Sequence, residues 1–131
     1  MEEYIKNIDL QTVSMQTLAF IGDAVYNVYI RCYLAANSNE KTGILHKESI
    51  RYVSAKGQSE TIEDILELLT DEEKSVYKRG RNTNIASVSK NIDVVSYKRA
   101  TGFEALLGYL YVKGDKSRLD ELVKICIEKL N

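Results

Sequence analysis

Apolar residues recur along this chain at intervals of three and four, the spacing of one face of a helix. The longest such stretch, Leu18 to Arg31 (LAFIGDAVYNVYIR), is apolar nearly all round. It predicts a central, buried helix with Ser14 as N-cap and an end near Ala36. Ile44, Ile50 and Val53, with Lys47 and Arg51 beside them, predict an amphipathic helix. A bend is expected at Gly57, followed by a second apolar stripe of Ile62, Ile65, Leu66 and Leu69. Thr70-Asp71-Glu72-Glu73 has the form of a capping box and opens a helix expected to end near Gly80. Residues 81–91 show no helical period. A second strongly apolar helix is expected from about Ile92 to Lys113, stopped by Gly114, and Ser117 can cap a last amphipathic one.

Composition agrees with this all-α pattern. The chain has no Pro and only 7 Gly, which suits packed helices better than a turn-rich sheet. Its 131 residues suit one domain, 1–131, able to bury about two-thirds of its unfolded surface. Cys32 and Cys126 fall in apolar helical stretches and are expected to be reduced core residues. The acidic N-terminus and the lack of any apolar run of membrane-spanning length lead us to expect a cytoplasmic protein.

Each of the two apolar helices holds one isolated acid, Asp23 in the first and Glu104 in the second. A carboxylate in apolar surroundings is costly without a partner. If the helices cross, the two acids face each other, and both stay ionised only with a cation between them. A hard divalent ion such as Mg²⁺ suits such a pair. Spacing alone favours the plainer reading of two separate acids, each at a helix cap or paired with a neighbouring Lys or Arg. Gly22, beside Asp23, lets a helix or a ligand approach closely.

Net charge is −1, so any nucleic-acid site must be local. Between Lys78 and Arg99 the chain carries Lys78, Arg79, Arg81, Lys90, Lys98 and Arg99 against one acid, Asp93. With Asn82 and other uncharged donors interleaved, this segment suits a phosphate backbone. A solvated loop is an equal reading of its composition. His46 is the single His, with no nucleophile pattern near it, and there is no glycine-rich phosphate loop.

Five short motifs, in order, resemble the ribonuclease III family and, within it, the miniature branch, Mini-ribonuclease III. They are Gly22-Asp23-Ala24-Val25 after Leu18-Ala19-Phe20-Ile21; Tyr52-Val53-Ser54-Ala55-Lys56; Arg79-Gly80-Arg81-Asn82; Lys90-Asn91 with Asp93 and Tyr97; and Phe103-Glu104-Ala105-Leu106-Leu107-Gly108. The full-length family has a Glu where this chain has Ala19 and an Asp where it has Thr101. The miniature branch makes the same replacements, so they do not signal an inactive protein, although they leave the number of metal ions open.

The resemblance implies the all-helical endonuclease domain of the family, working as a homodimer on double-stranded RNA, without a separate double-stranded-RNA-binding domain. It implies a catalytic, metal-binding pair in Asp23 and Glu104, with Mg²⁺ as cofactor and Mn²⁺ as a substitute. Phe20 is implied as a dimer anchor. Lys78, Arg79, Arg81, Asn82, Lys90, Lys98 and Arg99 would then grip RNA. The expected substrate is a ribosomal RNA precursor of the large subunit (23S type), presented with help from a ribosomal protein. A catalytically idle RNA-binding or ribosome-assembly protein of the same fold is the alternative. A helical dimerisation module with no RNA role is a second rival.

Overall fold

A computed structural model describes residues 1–84 and 93–131, and among these every regular element is helical. In chain order they are α1 (Glu2–Lys6), α2 (Met15–Asn37), α3 (Thr42–Val53), α4 (Ala55–Ile65), a 3₁₀ turn (Leu66–Leu68), α5 (Asp71–Arg81), α6 (Val94–Lys113) and α7 (Lys116–Leu130). No described helix is long and apolar enough to cross a membrane.

α6 is the hub, packing on α2, α4, α5 and α7. Its packing against α2 is the most extensive and turns on two glycines. A Cβ on Gly22 would lie 1.7 Å from the Glu104 carbonyl oxygen, and one on Gly108 would lie 2.0 Å from that of Leu18. Only bare backbones cross this closely. Around the crossing, Tyr26 and Phe103 meet edge to face at 5.0 Å, with Ile30, Ile62, Leu106 and Leu122 fully buried about them.

Local end signals explain most boundaries. Ser14 Oγ accepts from the Thr17 N–H (3.1 Å), as expected of an N-cap. Thr70 and Glu73 form the expected reciprocal capping box. Gly114 ends α6 with φ +86°, where a Cβ would be strained.

Two expected boundaries fall elsewhere, and one expected stop residue has another role. The chain turns at Ser54, whose Oγ caps α4 by accepting from the Gly57 N–H (3.1 Å). Gly57 lies inside α4, because a Cβ there would meet the Arg51 carbonyl at 2.1 Å. α5 ends at Arg81, near Gly80 as expected, but Gly80 itself is helical and packs on Gly102 of α6. Asp115, not Ser117, caps α7. The start expected at Ile92 lies outside the described residues, and α6 is capped by Asp93.

α2 is also less buried than its composition suggests. One face carries the core residues, while Phe20 (80% exposed) and Val28 (61%) stand in solvent with Asp23, Ala24 and Cys32. Cys126 is buried as expected, but Cys32 is an exposed thiol rather than a core residue. His46 is exposed on α3.

Candidate active site

The glycine crossing sets the geometry of the acids. Gly22 rests on the backbone of Glu104, so Asp23, the next residue along α2, lies beside the Glu104 side chain. Their carboxyls stand within hydrogen-bonding reach across the α2–α6 seam. The two acids thus meet, in contrast to the separate-acid reading, and neither makes an ion pair with Lys or Arg among the described residues. Asp23 itself is exposed, contrary to the expectation of a buried acid, because the solvent face of α2 carries it. Asn27 holds it in place, donating from Nδ2 to its Oδ1 (3.2 Å) and to its carbonyl (2.9 Å).

Glu104 is half-buried, and burial, reinforced by the facing Asp23 carboxyl, pushes it up to about 9. At neutral pH it keeps its proton unless a cation arrives.

Both acids line a cleft of about 290 Å³ between α2, α4 and α6. Its walls include Gln16, Ala19, Phe20, Gln58, Tyr97 and Thr101. Ala19 and Thr101 are the two positions without the acids of the full-length pattern, so their absence is felt directly in this cleft. Among the described residues no group of three or more His, Cys, Asp or Glu is placed to hold a metal. Whatever cation enters meets two carboxylates in a lining whose other polar side chains are Gln16, Gln58, Tyr97 and Thr101, among apolar ones.

The basic segment divides rather than forming one surface. Lys78, Arg79 and Asn82 are exposed and, with Asp71, Lys74 and Ser75, line a groove of about 670 Å³ beside Met15 at the start of α2, three cations against one acid. Arg81 turns the other way, its guanidinium 5.6 Å above the Tyr77 ring and its Nε donating to Asn82 Oδ1 (3.3 Å). Arg99 is paired with Glu63 at 3.1 Å. It faces a groove of about 830 Å³ where Lys56 is outnumbered by Glu60, Asp64 and Asp93. That groove is poorly suited to a polyanion. Lys98 is half-buried on α6. Lys90 lies outside the described residues.

Lys74 and Gln58 escaped sequence reasoning. Lys74 sits one turn before Lys78 on α5, a four-residue spacing that marks one face. Gln58 shares its helical face with Ile62 and Ile65, so a polar amide at a core position was the available signal.

The Ribonuclease III domain profile matches residues 16–115, most of the chain. Mini-ribonuclease 3 of Streptococcus pneumoniae is 47% identical over 125 residues, covering 94% of this chain and 98% of its own length. Mini-ribonuclease 3 of a Thermoanaerobacter species is 43% identical over 131 residues, covering 95% and 92%. The chain belongs to the Mini-ribonuclease III branch of the ribonuclease III family. The crystal structure of protein FN1578 from Fusobacterium nucleatum, 30% identical, shares the fold with a TM-score of 0.83 over 92% of this chain and 97% of that one. Membership makes this Mini-ribonuclease III chain an endoribonuclease, a metal-dependent phosphodiester hydrolase.

Proposed function

We propose that this chain cleaves double-stranded RNA as a homodimer, with Asp23 and Glu104 holding Mg²⁺, and that it acts in maturing a large-subunit ribosomal RNA precursor. The pairing of Asp23 with Glu104 in one cleft carries the reading. Two facing carboxyls, one of which keeps a proton in the absence of a cation, form a site that a divalent ion completes. The donor set is hard oxygen, and a cation that takes few protein ligands and keeps several waters fits it. Mn²⁺ fits the same donors. Bound there, such an ion would polarise the scissile phosphate and lower the pKa of an attacking water.

The chain's own residues do the rest. Asn27 fixes the Asp23 carboxylate, and the Gly22–Gly108 crossing fixes the spacing of the pair. Water adds to phosphorus and the bond to the 3′ oxygen breaks, giving the 3′-hydroxyl and 5′-phosphate ends that the resemblance implies. Lys78, Arg79 and Asn82, joined by Lys74, offer the backbone a cationic groove. A-form duplex presents phosphates and 2′-hydroxyls rather than readable base edges, so shape should dominate selection.

A two-fold dimer suits a two-stranded substrate, offering one acid pair to each strand. Phe20 supports the dimer, since it stands exposed on α2 at the rim of the acid cleft. The ribosomal precursor and an assisting ribosomal protein rest on the resemblance to the branch.

The test is incubation of the pure chain with a long RNA duplex, with Mg²⁺ and with chelator. Cleavage to 5′-phosphorylated fragments only with Mg²⁺ is expected. Binding without cleavage in Mg²⁺ would favour the idle RNA-binding alternative.

A further inference from the structure

We infer that Gln58 is a positioning residue of the acid cleft, its Oε1 accepting a hydrogen bond from a water in the hydration shell of the bound divalent ion. This rests on Asp23 and Glu104 being cation ligands, and it adds a residue that neither acid motif contains.

Gln58 lies in the first turn of α4 and is 1% exposed. Its Nε2 donates to the Val53 carbonyl oxygen at 3.1 Å. Only the nitrogen of an amide can face a carbonyl, so this bond fixes which end is oxygen. The other end, Oε1, is buried and has no hydrogen-bond partner among the described residues. A buried acceptor left unpaired is destabilising, a cost that an apolar side chain of the same size would avoid.

Two other buried polar atoms lack partners among the described residues, the hydroxyls of Tyr26 and Tyr77. Neither residue lines the acid cleft, whereas Gln58 does. The cleft also explains what the acceptor is for. With Ala19 and Thr101 in its walls and two carboxylates in reach, an octahedral ion keeps several waters. Those waters have protons to donate. A fixed carbonyl oxygen orients one of them, as outer-shell partners orient the ligands of metal sites.

Mn²⁺ binding to the full-length chain without RNA tests this, read by the electron paramagnetic resonance of free Mn²⁺. Q58M keeps the volume and removes the acceptor. It should weaken Mn²⁺ about tenfold while the thermal midpoint of the ion-free protein holds or rises. Q58E, which restores an oxygen, should bind Mn²⁺ at least as tightly as the parent. With RNA, Q58M should need more Mg²⁺ for half-maximal cleavage at unchanged duplex affinity. Unchanged Mn²⁺ affinity in Q58M, with or without a lower thermal midpoint, overturns the proposal.

D23N separates the two readings. If it leaves Mn²⁺ binding intact, the ligand assignment itself fails; if it abolishes binding and Q58M does not weaken it, only the Gln58 role fails. Should Q58M not fold, the parent protein serves. Mn²⁺ should broaden the Gln58 side-chain amide signals in its NMR spectrum, and sharp signals at saturating Mn²⁺ would exclude the role.

Discussion

Glu104 is the side chain whose protonation state depends most on what occupies the cleft. Burial and the Asp23 carboxyl hold it at about 9, whereas in the unfolded chain it titrates like an ordinary glutamate. Between roughly pH 4.5 and 9 the folded state therefore keeps a proton that the unfolded state has released. Stability of the ion-free protein should fall as pH rises through that window. Thermal melts in chelator from pH 5 to 9 should show this slope, and E104Q should flatten it and be the more stable protein at pH 8. Because a cation must displace the proton, divalent-ion affinity should rise with pH over the same range. Glu73 has the opposite sign. Arg118 donates to both of its carboxylate oxygens at 2.8 Å and holds it below the usual range, so its contribution disappears as pH falls into the acid range. The two acids of the cleft were legible in the sequence, since an isolated Asp and Glu in two apolar helices stand out. The exposure of Asp23 was not, because which face of an apolar helix meets solvent is decided by its neighbours.

At the scale of elements, the crossing of α2 and α6 is the device that brings two distant acids into one cleft. G22A would drive a methyl into the Glu104 carbonyl, and we expect it to destabilise the fold by about 1–3 kcal/mol or more. G43A is the control. Nothing lies within 4 Å of a Cβ there, in the first turn of α3, so it should be neutral or stabilising by up to about 1 kcal/mol. Urea unfolding of both variants checks the contrast. The same glycines show where sequence reading stops. Thr70 with Glu73, and Gly114, were readable because a cap is made by residues within one turn. Gly57 was misread as a bend, and Gly80, although α5 ends one residue beyond it, is not the residue that stops the helix. Each is required by a backbone that approaches from elsewhere, Arg51 in one case and Gly102 in the other.

At the scale of the whole molecule, charge and exposed apolar surface bear on the proposed contacts with RNA and with a second copy. Lys78 and Arg79 lie in the open groove of α5, while Arg81 packs on Tyr77 and Arg99 pairs with Glu63. Neutralising Lys78 and Arg79 together should weaken duplex binding across sequences and reduce the salt slope by about one for each phosphate no longer neutralised. Neutralising Arg99 should do much less. Composition showed the local excess of positive charge, but only the packing of α4 and α6 reveals which cations are already spoken for. Phe20→Glu should convert a dimer to a monomer in sedimentation and lower cleavage of both strands; a wild-type monomer would count against the two-fold arrangement.

The central claim is that Asp23 and Glu104 act together on the phosphodiester of duplex RNA. Single-turnover cleavage of a long duplex by D23N at saturating Mg²⁺, with duplex affinity measured alongside, tests it most directly. Removing an outer-shell partner of a metal costs up to about 100-fold, and the D23N rate should fall by more than that. Duplex affinity and the thermal midpoint should stay close to wild type. Cleavage by D23N at the wild-type rate would contradict the claim.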